Sequence, residues 1–144
     1  MLVQQILKSK AQSGIISVKP DDTVATAANL LSTERIGTVV VSSDGTSLDG
    51  ILSERDIVRE IGKRGAVCLD DPVHTMMTSK LVTCRPEDSA LEVLEMMTTG
   101  RFRHMPVVKD GEMIGLISIG DTVKARLAEL AMEKDALEGM IMGH

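Results

Sequence analysis

"GILSERDIV" (Gly50–Val58) and "GLISIGDTV" (Gly115–Val123) decide the reading of this chain. Each has a glycine, two large aliphatic residues, then Ser-x-x-Asp and further apolar residues. The same polar pair, written twice straight after a hydrophobic strand, calls for a test of internal periodicity. Placing Pro20 on Pro86, an offset of 66, puts Asp22 on Asp88, Thr33 on Thr99, Asp44 on Asp110 and Gly45 on Gly111. Beyond that turn the second copy is one residue shorter. Gly50 then meets Gly115, Ser53 meets Ser118, Asp56 meets Asp121 and Val58 meets Val123.

Each copy reads strand, helix, strand, strand, helix. A short apolar stretch opens it ("IISV", then "KLVTC"), and "PDDT" or "PEDS" supplies a turn and a helix cap. An amphipathic helix follows, with Val24, Ala27, Ala28 and Leu31 in one copy and Ala90, Leu91, Leu94 and Met97 in the other. A strand comes next ("IGTVVVS" or "HMPVVK"). Asp44-Gly45 and Asp110-Gly111 read as hairpin turns leading into the second strand. The last helix begins at Ser-x-x-Asp. The expected fold class is α/β (α+β): two pseudo-twofold related β-α-β-β-α repeats packed through their sheets. One copy of about 60 residues would bury only a marginal core, so the two are expected to cover each other.

The expected boundaries are 8–64 for the first repeat, 76–132 for the second and 133–144 for a helical tail. Residues 65–75, "GAVCLDDPVHT", read as the linker. The first dozen residues read as a helix or strand donated to the second copy. The segment Thr122–Met142 reads as a helix with Val123, Leu127, Leu130, Leu137 and Ile141 along one stripe. That stripe either packs on its own repeat or forms a dimer contact.

The bulk properties set the class. The chain has 144 residues, 43% hydrophobic and 26% charged, as in ordinary globular proteins. A net charge of -5 gives no basic field for nucleic acid or an anionic membrane. No apolar run approaches the roughly 20 residues of a membrane span. The opening "MLVQQILKSKAQ" is too short and polar for a signal peptide, so the expected compartment is the cytoplasm. Cys68 and Cys84, without a CxxC spacing, read as reduced core or surface thiols rather than a metal site. Phe102 is the sole aromatic residue, and ten methionines fill part of the gap. They read as core filler, with Met140 and Met142 as candidates for a contact surface.

Ser-x-x-Asp has two readings. Serine after a strand is a favoured N-cap, and an acid three residues on completes a cap that suits the helix dipole. The same geometry can serve a ligand. A helix N-terminus offers free N–H groups to a phosphate, and an ionised Asp accepts from both hydroxyls of a ribose diol. Apolar strand ends nearby would hold a purine without aromatic residues.

The stretches "PDDTVATAANLLSTERIGTVVVSSDGTSLDGILSERDIV" and "PEDSALEVLEMMTTGRFRHMPVVKDGEMIGLISIGDTV" resemble CBS domains, the modules first named in cystathionine β-synthase. The resemblance covers about residues 8–132, and the tail "EKDALEGMIMG" is similar to small stand-alone bacterial members made of one CBS pair, the Bateman module. It implies a regulatory module whose clefts between the repeats bind adenosyl ligands: AMP, ADP or ATP, NAD or S-adenosylmethionine. It implies no required cofactor and no catalytic residues. It implies ribose contacts from Asp56 and Asp121, and ribose or phosphate contacts from Ser53 and Ser118. It further implies purine contacts from Ile15 and Ile16 in the Asp121 cleft. In the Asp56 cleft the same role falls to Leu81 and Val82, with Gly37, Thr38 and Ile51 beside them. Arg103 and His104 match the family's phosphate-reaching positions. The first copy has Gly37-Thr38 there, leaving Arg55 as its obvious local cation, so the Asp121 cleft is expected to bind a nucleotide phosphate more tightly. His104 can equally be a structural histidine and Arg103 a solvated one. His74 and His144 belong to no visible constellation.

No HExxH, GxSxG, Walker-type loop or His/Cys cluster is present in the sequence. The reading is therefore a non-catalytic sensor that modulates an unknown partner protein and forms a homodimer, with neither nucleic acid nor membrane as a partner. The alternative is an assembly protein whose ligand clefts are vestigial.

Overall fold

The computed structural model describes residues 1–10 and 15–142; Ala11 and Gln12 of the donated segment and His144 lie outside the described residues. Along the chain run α1 (Val3–Ser9), β1 (Ser17–Val18), α2 (Val24–Glu34), β2 (Thr38–Val41), β3 (Gly50–Ser53), α3 (Glu54–Arg64), two 3-10 turns (Ala66–Asp70 and Val73–Thr75), α4 (Ala90–Gly100), β4 (His104–Lys109), β5 (Glu112–Ser118) and α5 (Ile119–Ile141). These form two compact units. One comprises Gly14–Val82 with Asp110–Ile114, and the other Met1–Ser13, Thr83–Lys109 and Gly115–His144.

In the first of these units β1 pairs parallel to β2, and β2 pairs antiparallel to β3, with Thr38 opposite Ser53 and Val40 opposite Ile51. The parallel pair is joined through α2. That helix starts at Thr23, whose side-chain oxygen accepts from the Thr26 N–H at 3.1 Å, a cap worth about 1 kcal/mol. Its buried face is Val24, Ala27 and Leu31, which packs with Val39, Val41, Leu52 and Ile57.

The other unit repeats this plan. Ser89 caps α4 by accepting from the Glu92 N–H at 3.1 Å. The buried face of α4 is Ala90, Val93 and Met97. Leu91, expected in that face, is exposed. The repeat alignment carries the right phase, because Ala90, Val93 and Met97 stand where Val24, Ala27 and Leu31 stand in the first copy. The expected opening strand "KLVTC" shrinks to a single parallel bridge between Cys84 and Val107.

The segment expected as a linker is structural. Cys68 and Val73 in its two turns are fully buried, and Val73 joins the core of the first repeat. The donated N-terminal segment does the same for the second repeat, placing Val3 and Ile6 in its core. The two segments bond identically. Val3 N–H donates to Asp88 O and Val73 N–H to Asp22 O, both at 2.8 Å. Gln4 N–H donates to Pro86 O and His74 N–H to Pro20 O, both at 3.0 Å. Residues 1–10 thus correspond to 71–80 ("MLVQQILKSK" on "DPVHTMMTSK"), and each such segment closes the repeat it does not open.

The two hairpin connections differ. Asp110 (φ 52) and Gly111 (φ 79) form a tight turn in the left-handed region, as two-residue hairpins require. Asp44-Gly45 instead sits in a longer loop between Val41 and Gly50. There Asp44 Oδ1 accepts from the Ser47 N–H at 2.7 Å and the Thr46 N–H at 2.9 Å. These backbone donors, Ser47 foremost, hold its carboxyl well below the usual range.

The stripe on α5 does not pack on its own repeat. Thr122 and Ala125 are the residues this helix buries. Val123, Leu127, Leu130, Leu137 and Ile141 are all exposed. Met97, Met105 and Met113 are buried as core filler, while Met132, Met140 and Met142 are exposed.

Candidate functional site

Both Ser-x-x-Asp motifs sit where a buried strand runs into a helix. Ser53 and Ser118 are the N-caps of α3 and α5. Ser118 Oγ accepts from the Asp121 N–H at 3.1 Å, and Asp121 Oδ2 accepts from the Ser118 N–H at 2.9 Å. In the first copy Ser53 Oγ accepts from the Asp56 N–H at 3.2 Å, and Asp56 Oδ2 accepts from the Ser53 N–H at 3.0 Å. Each carboxylate therefore spends one oxygen on its own cap. The backbone beside each cap also repeats. Gly37 O accepts from the Glu54 N–H at 2.9 Å, and Arg103 O accepts from the Ile119 N–H at 2.8 Å.

The second oxygens differ. Asp56 Oδ1 accepts from Arg59 Nη2 at 2.8 Å, within its own helix. Asp121 Oδ1 has no bonded partner among the described residues. Its other oxygen, Oδ2, lies 3.0 Å from Lys10 Nζ, which also donates to Leu116 O at 2.7 Å. Burial pushes the Asp121 carboxyl upward, but the Ser118 N–H and the Lys10 ammonium outweigh it and hold the group below its ordinary value. Asp121 is thus an ionised acceptor with capacity to spare.

Lys10 is the residue the sequence reading missed. Its signal lay in the "SK" shared by Ser9-Lys10 and Ser79-Lys80 once the repeat is extended ahead of Pro20. Lys10, Asp121 and Lys124 line a cleft of about 460 Å³, together with Met1, Ile6, Ser9, Ala125 and Ala128. The cleft combines an apolar floor with two ammonium groups and a carboxylate.

The remaining candidates divide between the two units. Arg103, exposed, and His104, half-buried, flank the start of β4 in the unit of Ser118 and Asp121. Ile15, Ile16, Gly37, Thr38, Ile51, Ser53, Arg55, Asp56, Leu81 and Val82 all belong to the other unit. Thr38 is buried opposite Ser53, and Arg55 is exposed on the first turn of α3. Ile51 and Thr78 exchange hydrogen bonds of 3.0 and 2.9 Å. That pairing ties the segment leading to Leu81 and Val82 to the repeat that carries Asp56. Ile16 packs on the core of the same repeat, and Val82 is exposed.

Gly50 and Gly115 are explained by the exchanged segments. A Cβ at Gly115 would stand 2.6 Å from Leu7 Cδ2, and one at Gly50 would stand 2.7 Å from Met77 Sδ. At Gly50 the Thr78 carbonyl oxygen, 2.8 Å from that Cβ, leaves room only for glycine, whereas at Gly115 the near atoms are the movable end of the Leu7 side chain. Among the described residues no group of His, Cys, Asp and Glu side chains could hold a metal ion. No described helix is long and apolar enough to cross a membrane. Cys68 and Cys84 are buried free thiols, and burial pushes the Cys84 thiol up to about 12.

A mixed α/β chain of two equivalent units, each with a capped acid at a helix entrance, defines a tandem-repeat module. The chain belongs to the CBS domain family, whose profile matches residues 5–63 and 73–128. It is 37% identical over 148 aligned residues to a mitochondrial CBS domain-containing protein of Arabidopsis thaliana, covering 98% of this chain and 72% of that protein. The crystal structure of a CBS-domain containing protein from Agrobacterium tumefaciens matches with a TM-score of 0.82 and 39% identity, covering 88% of this chain and 99% of that one. A CBS domain protein from Pyrobaculum aerophilum, complexed with AMP, matches with a TM-score of 0.77 and 28% identity, covering 92% of this chain and 99% of that one.

Proposed function

We propose that this chain is a non-catalytic, ligand-sensing regulatory module that binds an adenine nucleotide and modulates a partner protein. The observation that carries the reading is Asp121. Its Oδ2 is held by the cap and by Lys10, while Oδ1 remains open to a ribose hydroxyl. Lys10 and Lys124 stand in the same cleft to meet a phosphate. The AMP complex of the Pyrobaculum aerophilum relative supports an adenosyl ligand. AMP is the leading ligand, with ADP, ATP, NAD and S-adenosylmethionine in the same class. Arg103, His104 and Ser118 are the proposed further polar contacts. Ile15 and Ile16 are the proposed purine contacts of this site, and Leu81 and Val82 those of the Asp56 site.

The second site is built on Asp56 with Ser53, Gly37, Thr38, Ile51 and Arg55, and it is the weaker of the two. Arg59 already occupies the second oxygen of Asp56, so a ribose must displace an ion pair to reach it. The module works as a homodimer in the cytoplasm, a compartment that suits two buried thiols. Ligand binding shifts the protein toward the conformation the ligand prefers, and the partner reads that shift.

Thermal unfolding with AMP, ATP, NAD and S-adenosylmethionine tests the reading. A ligand at one hundred times its dissociation constant stabilises by about 2.7 kcal/mol. Calorimetry then ranks the sites: Asp121→Ala abolishes the tighter binding event and Asp56→Ala does not. Absence of a shift with all four ligands overturns the sensor reading in favour of an assembly protein, for which the self-capped carboxylates would be purely structural.

A further inference from the structure

We propose that α1 is a strap that a phosphate-bearing ligand fastens over the Asp121 cleft through Lys10, so that the docking of α1 reports occupancy. This rests on the nucleotide reading of that cleft and adds the part that moves. The internal repeat supplies the comparison. Residues 1–10 and 71–80 enter their units alike: Ala90 N–H donates to Met1 O and Val24 N–H to Asp71 O, both at 2.9 Å. Beyond that they part. Thr78 exchanges two backbone hydrogen bonds with Ile51, of 3.0 and 2.9 Å, which clamp its segment to β3. Leu116 holds the place of Ile51 in the second copy, but α1 stays helical through Ser9. Among the described residues no backbone hydrogen bond joins α1 to β5. A side chain takes over: Lys10 Nζ donates to Leu116 O at 2.7 Å and lies 3.0 Å from Asp121 Oδ2.

That exchange makes α1 the looser of the two segments. A helix of 7 residues does not persist alone in water, so α1 is helical only while docked. Val3, Ile6 and Leu7 hold it by burial, and the Met1 ammonium lies 2.8 Å from Glu129 Oε1. Its other end depends on the Lys10 ammonium, which is partly open to water, where an ion pair adds little. Yet Ile6, Ser9 and Lys10 line the cleft from α1, as Asp121 and Lys124 do from α5. A phosphate can meet both ammonium groups only while α1 is docked. The ligand therefore binds the docked state more tightly and holds it closed. Without ligand, opening of α1 withdraws Val3 and Ile6 from the core they share with Ala90 and Val93.

Native-state amide exchange of the full chain, read residue by residue by NMR, tests the strap. In the free protein the amides of residues 6–9 should be at least about tenfold less protected than that of Thr78. AMP at one hundred times its dissociation constant should slow them by about tenfold, the order of a charge-assisted hydrogen bond. Adenosine at matching saturation lacks the phosphate and should slow them by less than about threefold. Lys10→Met should lose the AMP effect, and Lys10→Arg, which keeps a cation, should retain it. Amides of α1 as protected as Thr78 in the free protein overturn the strap and leave the nucleotide reading standing. So do α1 amides unmoved by AMP that calorimetry shows to be bound. Equal slowing by adenosine, or by AMP in Lys10→Met, overturns Lys10 as the fastening. AMP that gives neither heat nor a melting shift overturns the strap together with the reading beneath it.

Discussion

Gly50→Ala should destabilise this protein where Gly115→Ala does not, although the two glycines are equivalent in the repeat. A Cβ at residue 50 would stand 2.7 Å from Met77 Sδ and 2.8 Å from the Thr78 carbonyl oxygen. The sulfur can swing aside, but the carbonyl is backbone. Reaching an ordinary separation of 3.4 Å means retreating by about 0.6 Å, an overpacking cost of about 1–3 kcal/mol. That retreat also stretches the Ile51–Thr78 hydrogen bonds, now 3.0 and 2.9 Å, each with a net value of about 0.5–1.5 kcal/mol. Loss of unfolded-chain freedom returns about 0.4–1 kcal/mol, leaving a net loss of about 2–3 kcal/mol. At residue 115 the new methyl meets only the Leu7 side chain, at 2.6 and 3.1 Å from its methyl carbons. A leucine end can rotate, so the cost of about 1 kcal/mol is nearly cancelled by the same entropic return. At about 2–4 °C per kcal/mol for a chain of this size, Gly50→Ala should lower Tm by about 5–10 °C and Gly115→Ala by less than about 3 °C. Differential scanning calorimetry of the two variants decides. Equal losses, or a larger loss at Gly115, would refute the argument that the segment through Thr78 is backbone-clamped to β3.

Further outcomes follow from the same geometry. Ile6→Ala should cost about 2–5 kcal/mol in urea unfolding, because α1 carries a fully buried side chain of the second repeat; a loss under about 1 kcal/mol would mean the donated segment is not docked. Asp121 has a depressed folded-state pKa, so its contribution is present above the unfolded value of about 3.9 and is lost as pH falls through the folded value. Asp121→Asn should therefore flatten the acid limb of stability below about pH 4, and an unchanged limb in a pH series of melts would contradict this. Cys84, with its thiol pushed up to about 12 and its side chain buried, should resist iodoacetamide at pH 8 in the native protein and react in urea, as peptide mass mapping can show. Lys10→Met should weaken AMP by about tenfold, the order of a charge-assisted hydrogen bond, while leaving adenosine affinity within about twofold; equal losses for both would remove Lys10 from phosphate recognition.

Sequence alone determined the repeat and most of what each copy contains. The Pro-x-Asp-Thr and Pro-x-Asp-Ser caps, the phase of α2 and the Ser-x-x-Asp helix starts are local. They depend on hydrogen bonds that close within three or four residues and on apolar spacing, so they can be read along the chain. Even the error at Leu91 was recoverable, because aligning α4 on α2 gives the buried set Ala90, Val93 and Met97. Tertiary structure decided what depends on partners distant in sequence. It turned the expected linker into a core segment through Val73, reduced the opening strand of the second copy to one bridge, and bared the α5 stripe. It also made the two acids unequal. Asp56 meets Arg59 three residues along its own helix, whereas Asp121 meets Lys10 more than a hundred residues away in the chain. A carboxylate's character is set by the charges that reach it through space, and only the folded chain brings those charges together.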